Sequence, residues 1–139
     1  MIILDTNVLS EVIRPVPDAR VADWLERQPR EATFATAISR AEMLAGVAVL
    51  PDGARRNMLG RLVHRLFESQ FDDSLLPFDR QAADRYGELI ARRRALGRPI
   101  GTMDALIAAV ALSCGTAIAT RNIADFEELG LDLVDPWVA

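Results

Sequence analysis

Hydrophobic positions along this chain change period repeatedly, from short unbroken apolar runs to stripes at helical spacing. Five runs are continuous in apolar or β-branched character: Ile2–Leu4, Thr33–Thr36, Leu75–Pro77, Thr116–Ala119 and Leu131–Val134. Such runs suit parallel strands covered on both faces, which lack the alternation of a half-exposed sheet. Between them lie segments with apolar residues three and four apart and with recognisable ends. Asp18 precedes a helix over Ala19–Arg27, with Val21, Trp24 and Leu25 at helical spacing and Pro29 just beyond. Ser39 opens a second helix, to about Leu50. Asp52 opens a longer one, to about Ser69, striped by Met58, Leu59, Leu62, Val63, Leu66 and Phe67. Asp79 begins another, ending near Leu96-Gly97, where glycine suits the terminating left-handed conformation. Thr102 starts the last long helix, with Met103, Leu106, Ile107, Val110 and Ala111 facing inward and Gly115 at its end. Strands alternating with helices predict an α/β sandwich, with helices on both faces of a parallel sheet of about five strands. No repeat, linker or low-complexity tract interrupts the pattern, so residues 1–139 are expected to form a single domain.

The first strand delivers Asp5-Thr6-Asn7 at its carboxyl end. In open α/β sheets that edge is where ligands bind. Glu42, Asp104 and Asp125 follow where later strands give way to helices. Each also has a structural reading. Ser39-Arg40-Ala41-Glu42 has the form of a capping box. Asp104 falls in a first helical turn, where the dipole favours a carboxylate. Asp125, with Glu128 three residues on, has the form of an N-cap. Asp5 has no such reading, and burying it without a partner costs several kcal/mol.

Carboxylates brought together repel one another and take up protons. A divalent Mg²⁺ or Mn²⁺ turns that crowding into affinity, because these ions take oxygen ligands from few carboxylates and keep several waters. Thr6, Asn7, Thr120 and Asn122 could supply hydrogen bonds that orient the ligands. The chemistry of such a site is phosphodiester hydrolysis by metal-activated water, which needs no protein nucleophile.

Composition narrows the choice. The net charge of −4 argues against broad, unaided affinity for nucleic acid. All 16 cationic side chains are arginine. Without lysine there can be no Schiff base, no P-loop lysine and no lysine partner for a phospho-aspartate, which weakens a receiver- or phosphatase-type reading. The single cysteine, Cys114, excludes an internal disulfide and a cysteine-rich zinc site, and is expected to pack. The single histidine, His64, sits between Arg61 and Arg65 and is expected at the surface or in packing. No window is apolar for long enough to span a bilayer and no basic-then-apolar leader is present, so a soluble, cytoplasmic protein is expected.

Five segments carry a resemblance: Ile3-Leu4-Asp5-Thr6-Asn7-Val8-Leu9-Ser10, Ser39-Arg40-Ala41-Glu42-Met43-Leu44-Ala45-Gly46-Val47, Leu76-Pro77-Phe78-Asp79, Asp104-Ala105-Leu106-Ile107-Ala108-Ala109 and Ala119-Thr120-Arg121-Asn122-Ile123-Ala124-Asp125-Phe126. In this order the chain resembles the PIN-domain nucleases, specifically the VapC toxins of type II toxin–antitoxin pairs, in their FitB-like branch. The resemblance runs over essentially the whole chain. It implies a three-layer α/β/α fold and a metal-dependent endoribonuclease. It makes Asp5, Glu42 and Asp104 an acidic triad, with Asp5 and Asp104 the most direct ligands of Mg²⁺ or Mn²⁺, and Thr6 and Thr120 supporting hydroxyls.

Some relatives place an aspartate directly after the Thr-Arg pair, where this chain has Asn122. Asp125 either substitutes for it as a fourth catalytic acid or caps the next helix, and one metal is expected without substrate. Arg121 and Arg98 are candidates to hold phosphates of the RNA, with Arg92, Arg93 and Arg94 either joining them or forming a solvated helix end. Few aromatics are free to stack bases, so a folded RNA read by shape is expected. The resemblance also implies a VapB-like antitoxin and a homodimer. The helix with Ala41, Leu44, Ala45, Val47, Ala48 and Leu50 fits either a partner surface or a buried core element. The alternative function is a catalytically inactive PIN-like module that only binds RNA or protein. The presence of both Asp5 and Asp104 argues for chemistry.

Overall fold

The computed structural model describes residues 1–139. At its centre lies a parallel sheet of β1 (Ile2–Leu4), β2 (Thr33–Thr36), β3 (Leu75–Leu76), β4 (Ala117–Ala119) and β5 (Leu133–Val134), in the order β3-β2-β1-β4-β5. The chain builds outward from β1 on one side, through β2 to β3, and then returns to add β4 on the other. The strand order therefore reverses between β1 and β4. Crevices at such reversals, outside the carboxyl ends of the strands, are the ligand sites of open α/β folds.

Helices cover both faces. Around α1 (Thr6–Val12), α2 (Ala19–Glu26), α3 (Ala37–Ala48) and α4 (Ala54–Arg65), one core joins Ile2 and Leu4 to Val8, Leu9, Trp24 and Phe67. Around α5 (Arg80–Ala95), α6 (Thr102–Cys114) and α7 (Ile123–Phe126), a second core joins Ile3 to Ile107, Val110, Ile118 and Phe126. Ile2, Ile3 and Leu4 thus alternate between the two cores, as successive strand residues must. The three-layer α/β/α sandwich expected from the sequence is the observed architecture. Phe126 is fully buried. A buried side chain of this kind contributes roughly 1.5–3 kcal/mol, which anchors an α7 of 4 residues that is far too short to persist alone.

Several expectations need correction. Helix α1 was not anticipated: it starts at Thr6, directly after β1, with Asp5 as its N-cap. Asp5 therefore does have a local structural role. Helix α3 starts at Ala37 rather than Ser39, because the Thr36 hydroxyl at the end of β2 accepts from the Ser39 amide. That places Glu42 in the second turn and removes the capping-box reading. Helix α4 starts after Gly53, whose φ of 150° suits glycine, and Asp52 pairs instead with Arg56. Beyond Arg65 the winding loosens to a π-type turn over Leu66–Gln70.

Met58 is 48 % exposed, so the α4 stripe is only partly core. Helix α6 buries Ala105, Ile107, Ala108, Ala109, Val110 and Ala111 on nearly all sides, while Met103, expected inward, is exposed. Cys114 is exposed rather than packed. Strand β3 excludes Pro77, which has no amide to pair. His64 lies at the surface, 3.6 Å from Glu68. No helix is long and apolar enough to cross a membrane.

Candidate active site

Asp5 and Thr120 sit side by side at the carboxyl ends of β1 and β4. The Asp5 amide donates to the Ala119 carbonyl at 2.9 Å, extending the ladder one residue past the strand. The Asp5 carboxylate is 3 % exposed. Its Oδ1 accepts from the Thr6 amide and its Oδ2 from the Thr120 hydroxyl, each at 2.8 Å. A carboxylate has about four acceptor positions, so each oxygen keeps one free. No cation neutralises it: Asp5, Glu42, Asp104 and Asp125 are absent from every ion pair in the protein.

Glu42 reaches the same place from α3. Its Oε1 accepts from the Thr6 hydroxyl at 2.8 Å, and that hydroxyl also lies 2.9 Å from Ser39 Oγ. Thr6 has one hydroxyl proton and an ionised carboxylate can only accept, so Ser39 is the donor in the second contact. Thr36 Oγ1 stands 3.5 Å behind Ser39. Thr36, Ser39 and Thr6 thus form a file of hydroxyls whose last proton points at Glu42. Ser39, read from the sequence as a helix cap, is a buried member of this file.

The opposite wall is α6, whose first turn holds Asp104. Asp5, Glu42 and Asp104 line one cleft of about 470 Å³ with Arg121, Asn122 and Trp137. Asp125 is exposed in the first turn of α7, which begins before it, so it is not the N-cap that the sequence suggested. Its charge still reaches the cleft, acting on both Asp5 and Asp104. Burial pushes the Asp5 carboxyl up from the usual range, against the lowering effect of its hydrogen bonds from Thr120 and Thr6, with Glu42 and Asp125 adding repulsion. Asp104 is pushed up to about 6, by burial first and then by Asp5, Asp125 and Glu42. Both acids are thus raised first by burial and then by neighbouring carboxylates, the pattern expected where positive charge is to be bound.

Of the supporting residues, Thr6 serves Glu42, and Thr120 is the hub of the rest: its hydroxyl accepts from Asn7 Nδ2 at 3.3 Å and from the Asn122 amide at 3.0 Å while donating to Asp5. Asn7 in turn accepts from the Arg121 amide at 3.3 Å. Arg121 carries its guanidinium 5.0 Å from the centre of the Trp137 ring, at the mouth of the cleft. Nothing in the sequence pointed to Trp137, because its link to the site is the contact with Arg121 that only folding makes. Arg98 lies elsewhere, bonded at 3.1 Å to both the Ala124 carbonyl and the Glu127 carboxylate. Glu11, also unanticipated, lines the cleft but is occupied by Arg14 at 3.1 Å and by the Asp18 amide.

The donors suit a hard divalent cation: oxygen only, anionic, and including a buried carboxylate that lacks any counter-charge. No group of three or more acids stands in metal-ligating geometry in this structure.

Residues 2–130 match the PIN domain family. The chain belongs to that family. Among PIN-domain relatives, it is 41% identical over 139 residues to the plasmid stability protein StbB of Pseudomonas syringae pv. tomato, covering 100% of both chains. It is 38% identical over 137 residues to the VapC ribonuclease Y4jK of Sinorhizobium fredii, covering 99% of this chain and 98% of that one. The crystal structure of FitAcB from Neisseria gonorrhoeae superposes with a TM-score of 0.89 at 36% identity, over 100% of both chains. The α/β/α sandwich is therefore a PIN fold.

Proposed function

We propose that this PIN-domain protein is a metal-dependent endoribonuclease, the toxin of a toxin–antitoxin pair. The observation that carries the reading is the Asp5 carboxylate: buried, without a counter-ion, and opening with Glu42 and Asp104 on one cleft. Similarity to a VapC ribonuclease and to the FitAcB structure supports RNA as the substrate and a toxin–antitoxin setting. Asp5 and Asp104 would hold Mg²⁺ or Mn²⁺, with waters filling the remaining positions. When bound, the ion supplies Lewis-acid stabilisation of phosphate charge and a water acidic enough to attack.

The protein's own groups then have separable tasks. Thr120 and the Thr6 amide hold both Asp5 oxygens in one orientation. Thr6 fixes Oε1 of Glu42, which leaves Oε2 to orient the attacking water and take its proton. Arg121, steadied over Trp137, meets a phosphate flanking the scissile one. A groove of about 870 Å³ beside the cleft, lined in large part by apolar residues of α3 and α4 such as Val47, Met58 and Leu59, with Leu50 between the two helices, receives the antitoxin. Only Ser39 and Met43 of α3 are buried, which favours a partner surface over a core helix. Purified protein should cut RNA with Mg²⁺ or Mn²⁺, and Asp5→Asn or Asp104→Asn should lower the rate at least about 100-fold in a folded chain. Full activity in either variant would overturn the assignment. Tight RNA binding without any cut would favour the inactive binding module.

A further inference from the structure

Arg93 is a buried arginine that no carboxylate pairs. It lies in the last turn of α5, is 3 % exposed, and appears in no ion pair. The sequence suggested that the Arg92–Arg94 run is either a phosphate contact or a solvated helix end, and neither description fits this residue. Its Nε donates to the Arg98 carbonyl at 2.6 Å. Its Nη1 donates to the carbonyls of Asp125 and Glu127, each at 3.0 Å, and both terminal nitrogens reach the Ala124 carbonyl at 3.4 Å.

Two neighbours grip the same segment from the surface. Arg98 Nη2 donates to the Ala124 carbonyl and pairs with Glu127, and Arg92 Nε donates to the Glu128 carbonyl. Glu128 has a φ of 67°, a conformation that a non-glycine residue keeps only when its surroundings impose it. Three guanidinium groups thus tie down the main chain from Ala124 to Glu128. A planar fork of five donors can serve carbonyls spread along a segment, whereas the three donors of a lysine ammonium radiate from a single atom.

The segment so held joins the cleft directly. Asn122 lines the cleft and bonds Thr120, and Asp125, three residues on, acts electrostatically on Asp5 and Asp104. We propose that Arg93, braced by Arg92 and Arg98, is a positioning residue that holds the Asn122–Asp125 turn at the cleft wall that Asn122 lines, and so sets where Asp125 stands relative to Asp5 and Asp104. This rests on the proposed reading of the cleft as a divalent-ion site held by Asp5 and Asp104, and adds Asp125 to it.

The test is a double-mutant cycle between Arg93 and Asp125, read by Mn²⁺ titration calorimetry of the metal-free chain and by kcat and KM for RNA. Asp125→Ala should weaken Mn²⁺ binding by about 10-fold. Arg93→Lys should weaken it comparably, and the double variant should be no worse than Asp125→Ala alone. Where Arg93→Lys does not fold, Arg98→Gln replaces it: the expected loss is several-fold, in kcat and Mn²⁺ affinity together, and absent from the Asp125→Ala background. If Asp125→Ala leaves binding and cleavage unchanged, the place of Asp125 in the site is wrong. If Asp125→Ala matters but the arginine variants match the wild type, or if their losses multiply with it, the positioning role is overturned. A rise in KM that persists without Asp125 would reassign Arg98 to the substrate and overturn its bracing role.

Discussion

The Thr120 hydroxyl donates to Asp5 Oδ2 at 2.8 Å across 115 positions of sequence. The bond is possible because β1 and β4 are neighbours in the sheet, paired in parallel from Ile2 with Ala117 to Leu4 with Ala119. It fixes the second oxygen of a carboxylate whose first is fixed by the start of α1. Removing the hydroxyl frees that oxygen and strands two donors, Asn7 Nδ2 and the Asn122 amide. Thr120→Val should therefore weaken Mn²⁺ binding by about 10–100-fold, and Thr120→Ser should restore most of it. Calorimetry of both variants measures this. Equal affinity in wild type and Thr120→Val would show that the bond does not orient Asp5.

Glu42→Gln keeps an acceptor for the Thr6 hydroxyl but cannot take a proton from water. The expected result is a fall in kcat of about 100-fold or more with KM and thermal stability close to wild type. Steady-state cleavage of a defined RNA, with a melting curve alongside, separates this from a loss of fold.

Asp104 gives a dependence on pH whose sign follows from its environment. Its carboxyl is raised from 3.8 to about 6, so the folded chain holds this proton more tightly than the unfolded chain does. That contribution to stability is full below the unfolded value and is lost as pH rises to about 6. The metal-free protein should thus gain thermal stability from Asp104→Asn at pH 8 and show a smaller gain at pH 5. Melting temperatures of the two chains at both values test it, and a destabilised variant at pH 8 would contradict the assigned environment.

Met58 sits on the lip of the apolar groove, 48 % exposed. Met58→Glu should change stability by no more than about 0.5 kcal/mol, as is usual for a surface position. It should weaken antitoxin binding at least 10-fold and leave RNA cleavage intact. Titration with the purified antitoxin measures the first effect and a cleavage assay the second. Unaltered antitoxin affinity would move the partner off this groove.

Much of the architecture was legible because parallel strands and buried helices write different periods into the chain. Ile2–Leu4 and Thr33–Thr36 emerged with their observed ends, and Asp79 was recognisable as a cap because it stands immediately before a long amphipathic stretch. Helix α1 was not legible, since its 7 residues include the polar Thr6 and Asn7, which read equally well as a strand-end loop. The acids could be named from their places after strands, but their partners could not. Ser39 looked like a cap until Thr36 took that role. Arg93 and Arg94 look alike in sequence, and only the packing of α5 against α6, with the hydrogen bonds of Arg93 to carbonyls of α7, makes one of them internal. Trp137 enters the site through a contact with Arg121 that no local pattern encodes.

The measurement closest to the centre is titration of Mn²⁺ into the metal-free protein and into folded Asp5→Asn and Asp104→Asn variants. One saturable site in the wild type, lost in each variant, is the expected result. Saturable binding that persists unchanged in both variants, or no binding in the wild type, would contradict a cleft in which these two carboxylates share a cation.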